Sequence, residues 1–151
     1  MEDIKRILAV SRMTTYCRRA IHFGISLAHK YNADLFVIHV VYNPFEYMNM
    51  PMVSMEEEYK KDAASIKKQL DKIIDDERKK GVRIKELVKK GPPTEQIMNV
   101  VREENIDLAV LHAHKDSFWD HFLYGYRSDE LIRALPCSCL LVRNKAMAKE
   151  T

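Results

Sequence analysis

Glycine, cysteine, long apolar segments and net charge are all scarce in this sequence, and each scarcity argues against a class of protein. No apolar run approaches the roughly 20 residues that a bilayer-spanning helix needs, so we predict no association with a membrane. The 25 Lys and Arg residues outnumber the 22 Asp and Glu residues by only 25 − 22 = 3. A dedicated nucleic-acid-binding domain usually carries a much larger positive charge, so we predict no nucleic-acid partner.

The cysteines and the first residues of the chain favour a cytoplasmic protein. Three cysteines, an odd number, suit a reducing compartment better than a disulfide framework. Residues 1–6 lack the long apolar segment of a secretory signal peptide. If the end of the chain forms a strand, we expect Cys137 and Cys139 to point to opposite faces of the sheet.

Sequence motifs that mark common catalytic sites are also missing. The chain has no Gly-x-Ser-x-Gly element, no Gly-Lys-Ser/Thr phosphate loop, and no Ser-Gly-Gly after its first apolar run, where ATP pyrophosphatases carry one. Cys17 lies on the apolar stripe of a helical pattern, which suits packing better than nucleophilic work. We therefore predict that the protein is not an enzyme.

Short apolar runs alternate with amphipathic helical patterns along the whole chain. The predicted strands cover residues 4–10, 34–42, 82–88, 107–112 and 139–143. This alternation predicts an α/β fold with a five-stranded parallel, open, twisted sheet and helices on both faces. The third strand alternates with charged residues, as an edge strand does, so we favour the order 3-2-1-4-5 in a single domain spanning residues 1–151.

Open parallel sheets bind ligands at the carboxyl ends of their strands, where the strand order changes direction. The predicted order puts this switch point between strands one and four. The residues expected there are Ser11, Arg12, His112, His114 and Lys115, with Gly125, Tyr126, Arg127 and Ser128 opening the next helix. Residues 43–54, rich in methionine, proline and aromatics, have the composition of an adaptable loop that covers a site.

Several segments in this order resemble the universal stress protein family. They are Ile7-Leu-Ala-Val, Ile38-His-Val-Val, Lys90-Gly-Pro-Pro, Asp107-Leu-Ala-Val-Leu, Phe122-Leu-Tyr-Gly-Tyr-Arg-Ser and Pro136-Cys-Ser-Cys-Leu-Leu-Val-Arg. The resemblance implies a Rossmann-like, adenine nucleotide α-hydrolase-like fold and a homodimer. It also implies a switch-point pocket at which one branch of the family binds ATP.

The ATP-binding branch carries a motif that this chain matches only in part. Its aspartate just after strand one falls on Arg12, and its apolar adenine contact at the end of strand two falls on Val40. After strand four, its two early glycines fall on His112 and Lys115, its late glycine on Gly125 and the following hydroxyl on Tyr126. Only Val40, Gly125 and the nearby Ser128 fit. Glycine is needed where the backbone approaches a phosphate closely, so we predict a degenerate nucleotide-binding motif, no ATP bound in the family's usual way, and no resident cofactor.

The same residues allow other interpretations. Arg12, His112, His114, Lys115 and Arg127 would form an anion site if they converged; otherwise they fill the altered pocket and pair with nearby aspartates. A metal is a weaker alternative, with His112, His114 and His121 as the candidate ligands. The remaining cluster is aromatic and consists of Phe118, Trp119, Phe122, Tyr124 and Tyr126. These rings could stack on a flat ligand, but we prefer that they pack under a loop or against another subunit.

The last strand is the expected dimer contact. Cys139, Leu140, Leu141, Val142 and Arg143 form an apolar run without proline, which leaves an edge open to pairing across a two-fold axis. We thus predict a homodimeric stress-response or regulatory protein with an unidentified protein partner. The alternative is a small-molecule-binding domain whose altered pocket takes a nucleotide, another anion or a metal.

Overall fold

A sheet of five parallel strands forms the centre of the protein. The computed structural model describes residues 3–12, 17–47, 53–113 and 128–143. The strands are β1 (Arg6–Ser11), β2 (Asp34–Val41), β3 (Ile84–Lys90), β4 (Leu108–His112) and β5 (Ser138–Val142). Their order is β3-β2-β1-β4-β5, which confirms the predicted topology and places β3 at an edge.

Helices pack on both faces of this sheet. They are α1 (Cys17–Tyr31), α2 (Val53–Lys79), α3 (Pro93–Glu103) and α4 (Ser128–Ala134), with a short 3₁₀ helix at Pro44–Tyr47. Apart from Cys17, the buried side chains of α1 and α2 lie against one face, where Ile21 and Leu70 share a core layer with Val37. Buried side chains of α3 and α4 lie against the other face, where Ile97 and Leu131 pack with Ile38. Alternate residues of a strand face opposite sides, so β2 contributes to both layers.

Turns with left-handed backbone end the first three helices and lead into the next strands. Asn32 (φ 53°) follows α1, Gly81 (φ 99°) follows α2 and Asn105 (φ 51°) follows α3. Glycine and asparagine tolerate this conformation better than other residues. Gly81 is the C-terminal cap of α2, because its N–H donates to the carbonyl of Arg78.

Two sequence-based expectations are corrected by the structure. The third strand starts and ends two residues later than predicted, at Ile84 and Lys90. Cys137 and Cys139 pack against the same core layer, because residues two apart in an extended chain share a face. In the described residues, no helix is both long and apolar enough to cross a membrane.

Candidate functional site

The carboxyl ends of β1 and β4 lie side by side at the predicted switch point. Ser11 ends β1 and His112 ends β4, and both side chains are buried. Arg12, the next residue after β1, is also buried, with only 1% of its surface exposed. A buried arginine must satisfy its donors within the protein, so its partners show how this pocket is filled.

The Arg12 guanidinium reaches across to the carboxyl end of β2. Its Nη1 donates to the Val40 carbonyl at 2.6 Å, and its Nη2 donates to the Tyr42 carbonyl at 3.3 Å. The Tyr42 ring centroid lies 5.2 Å from the guanidinium carbon, within the range of a cation–π contact. The Arg12 N–H contacts the Cys17 sulfur at 3.0 Å, which fixes the start of α1 beside the pocket.

Tyr59 of α2 contacts the Arg12 side chain, and residues that follow β2 pack against the first turns of α2. The Tyr59 hydroxyl donates to the Tyr42 carbonyl at 3.2 Å and lies 3.5 Å from Arg12 Nη2. The Phe45 ring, which is buried, meets the Tyr59 ring edge-on with centroids 5.8 Å apart. Asn43 donates to the Glu56 carboxylate at 2.7 Å and lowers the pKa of that carboxyl. The first part of the predicted covering loop therefore packs against the start of α2, next to the residue, Tyr59, that contacts Arg12.

Several predicted site residues cannot be placed relative to this pocket. Outside the described residues lie two groups of predicted site residues. The first is His114, Lys115, His121, Gly125, Tyr126 and Arg127, and the second is the aromatic cluster at Phe118, Trp119, Phe122 and Tyr124. Ser128 begins α4 as predicted. Of the predicted set, the structure thus brings Arg12 into direct contact with Val40. The predicted anion and metal sites depend on residues outside the described part and stay predictions.

Sequence reasoning did not identify the acceptors that hold Arg12. They are backbone carbonyls, whose hydrogen-bonding capacity is the same for every residue type and leaves no mark in a sequence. The sequence pattern places Tyr42 at the end of a predicted strand and gives Tyr59 no role in the site. Their aromatic character next to a buried cation is the one feature that could have indicated the contact.

A second polar cluster lies under α2 on the other side of β2. The His39 side chain is fully buried, and its Nε2 lies 2.8 Å from Oε2 of Glu86 on β3. His39 is thus a hydrogen-bonded core histidine. Burial lowers its pKa more than the Glu86 hydrogen bond raises it. The imidazole is therefore neutral at pH 7 and donates its Nε2–H to the carboxylate.

The thiols near β5 have no features of a reactive site. Burial, and then the neighbouring Cys139, raise the pKa of Cys137 to about 11. Burial also raises the pKa of Cys139. All three cysteines of the chain lie in the described residues, and none forms a disulfide. A thiol that stays protonated is a poor nucleophile, so these two cysteines serve packing.

Comparison with known proteins agrees with the fold and with the resemblance in sequence. The family model of the Universal stress protein family matches residues 3–143. A universal stress protein of Methanothermobacter thermautotrophicus is 25% identical over 145 residues, which cover 95% of this chain and 99% of that protein.

Solved structures share the architecture at lower sequence identity. The universal stress protein UspA from Lactobacillus plantarum gives a TM-score of 0.71 at 18% identity, covering 95% of this chain and 100% of that one. A universal stress protein family member from Arabidopsis thaliana with AMP bound gives 0.63 at 13% identity, covering 95% and 94%. These similarities confirm the Rossmann-like, adenine nucleotide α-hydrolase-like fold. Because the family model spans nearly the whole sequence, the chain belongs to the universal stress protein family.

Proposed function

We propose that this protein is a homodimeric, cytoplasmic stress-response or regulatory protein, not an enzyme, that does not bind ATP in the manner of the family's nucleotide-binding branch. Family membership supports the stress-response role. The observation that carries the prediction on ATP is the buried Arg12 guanidinium, which donates to the Val40 carbonyl. In the nucleotide-binding branch, an aspartate takes the position of Arg12 and an apolar adenine contact that of Val40.

Arg12 opposes nucleotide binding in two ways. Its side chain occupies space between the ends of β1 and β2, where the resemblance places the adenosine moiety. It also replaces the carboxylate that would accept a hydrogen bond from a ribose hydroxyl. Any nucleotide held as in that branch would have to expel Arg12 from its carbonyl partners and desolvate it elsewhere, and both steps cost free energy.

A thermal-shift measurement with Mg-ATP tests this proposal. A ligand present at 100 times its Kd stabilises the folded state by about 2.7 kcal/mol, which raises the Tm of a chain of this length by roughly 5–10 °C. We expect no such rise for the wild-type protein with millimolar ATP, ADP, AMP or cyclic nucleotides. A rise with ATP contradicts the proposal, and a rise with another anion or with Zn²⁺ supports the alternative of an altered ligand pocket. An Arg12→Ala variant that gains an ATP response identifies Arg12 as the obstacle.

The dimer proposal is supported by the exposed edge of the sheet at β5. In the described residues β5 pairs with β4 only, and the Leu141 side chain is 41% exposed. The strand ends at Val142, and Arg143 follows it with its carbonyl accepting from Arg19 Nε at 2.6 Å. An antiparallel pair of such strands across a two-fold axis would cover the open edge of both subunits.

We expect Leu141→Glu to convert the dimer to a monomer, because the substitution places like charges opposite each other at the proposed interface. Light scattering coupled to gel filtration at micromolar concentration should give twice the mass of one chain for the wild type and the mass of one chain for the variant. Val88→Glu is the matched control, since Val88 is an exposed apolar residue on the opposite edge strand, and it should stay dimeric. A wild-type monomer, or dissociation by Val88→Glu alone, contradicts a β5 interface.

A further inference from the structure

The cluster around His39 joins three elements at one edge of the sheet. His39 lies on β2, Glu86 on the edge strand β3, and Lys67 and Asp71 one turn apart on α2. Lys67 Nζ hydrogen-bonds to Asp71 and lies 3.7 Å from Glu86 Oε2. Further along α2, Arg78 Nη1 lies 3.3 Å from Glu86 Oε1. These are the charged groups that face His39 or its partner from α2 and β3.

A divalent cation is one ligand to weigh for this cluster. His39, Asp71 and Glu86 each offer one ligand atom, and these three atoms lie within 4.8 Å of one another. However, Lys67 and Arg78 already neutralise both carboxylates. A metal-bound histidine also needs an acceptor for its second ring nitrogen, and within the described part of the chain His39 Nδ1 has no hydrogen-bond partner. The cluster therefore does not fit a metal.

The same geometry makes His39 sensitive to protonation. The neutral ring donates Nε2–H to Glu86 and leaves Nδ1 as an unprotonated acceptor. A buried acceptor without a hydrogen bond costs less free energy than a buried N–H donor without one. Adding a proton would place an unsatisfied N–H donor and a positive charge inside the core, beside Lys67. The opposing attraction of Glu86 is already shared between Lys67 and Arg78.

We propose that the His39–Glu86 pair is a proton-sensitive lock that holds α2 and the edge strand β3 on the sheet at neutral pH and releases them under mild acidification. Opening this edge lets water reach His39 and relieves the buried charge, whereas β1 and β4 on the far side of β2 need not move. For a stress-response protein, the signal would be a fall in internal pH. The inference rests on the family's stress-response role and is independent of the dimer and of ATP binding.

The direction of the pH dependence follows from the burial of His39. In the unfolded or opened chain the ring binds its proton near the ordinary value of 6.5, whereas burial lowers the pKa in the closed state. Between these two values the open state binds more protons, so opening becomes more favourable as the pH falls. At pH 5.5 the opening equilibrium should rise by up to about tenfold relative to neutral pH.

Hydrogen exchange of the full-length protein at pH 7.5 and 5.5, corrected for intrinsic exchange rates, tests this lock. Wild-type amides in residues 66–74 and in β3 should lose protection by up to about tenfold at pH 5.5, while β1 and β4 stay protected. His39→Gln keeps a donor near Nε2 and cannot be protonated, so it should abolish the change. His22→Gln, at an exposed position of α1, should behave as the wild type. An equal loss of protection in His39→Gln, or an equal loss in β1 and β4, overturns the proposal.

A direct titration covers the case in which His39→Gln does not fold. In ¹⁵N NMR spectra of the wild-type protein, the His39 ring should be the neutral Nε2–H tautomer at pH 7 and should titrate below the ordinary histidine value of 6.5. A doubly protonated His39 ring at pH 7 would overturn the lock.

Discussion

Truncating Arg12 to alanine is expected to lower the free energy of unfolding by about 2–4 kcal/mol. The substitution removes a fully buried side chain and the donors to two backbone carbonyls, those of Val40 and Tyr42. It also removes the cation–π contact with the Tyr42 ring. Denaturant unfolding followed by circular dichroism measures the difference, provided that the denaturant dependence of both proteins stays the same.

The matched control for Arg12→Ala is Arg102→Ala. Arg102 lies on the exposed side of α3, near its C-terminus, so its loss should cost less than about 1 kcal/mol. Equal losses in the two variants would mean that the buried guanidinium adds nothing to stability. That result would also weaken the argument that a ligand must displace a firmly held Arg12 side chain.

Leu70→Ala is expected to lower the free energy of unfolding by about 3 kcal/mol, within the ~2–5 kcal/mol range for buried leucines. Helix α2 has 27 residues but buries only Ile66, Leu70 and Ile74, and Leu70 is completely enclosed. The lost methyl groups would leave a cavity where α2 meets the sheet. Scanning calorimetry should show a Tm lower by roughly 6–12 °C.

Lys68→Ala serves as the control on the same helix, because Lys68 is exposed and alanine is a good helix former. Its effect should stay within about 0.5 kcal/mol. A small effect of Leu70→Ala would show that α2 contributes little to the cooperative unit. In that case the acid-induced release proposed for this helix would have no measurable consequence for stability.

The sheet was predictable because burial on both faces leaves a clear record in a sequence. The strands β1, β2 and β4 are continuous apolar runs, and the mixed pattern of β3 marked it as an edge. The limits of β3 were less predictable. Val82 is apolar and buried, yet its N–H donates to the Glu77 carbonyl in the last turns of α2 and pairs with no strand there. A hydrophobic pattern records burial and not strand pairing, so it could not distinguish the buried turn residue Val82 from the residues of β3.

The candidate site was predictable in position but not in content. Strand order alone located the switch point, and the family pattern marked Arg12 as a departure from an aspartate. That the Arg12 side chain turns inward to the Val40 carbonyl depends on backbone acceptors, which a sequence does not display. The His39 cluster was harder still, because His39 and Glu86 are 47 positions apart and only the parallel pairing of β2 with β3 brings them together.

The tethering of Arg12 to the strand that it follows has a consequence for how the pocket is filled. An intramolecular group competes at an effective concentration on the order of millimolar or higher, and dilution of the protein does not change it. The hydrogen bond from Arg12 to the Val40 carbonyl therefore forms when the chain folds, and no ligand has to bind for the carbonyl to be satisfied. A regulatory input that leaves Arg12 in place would act elsewhere on the protein, through its charges, its edges or its partners.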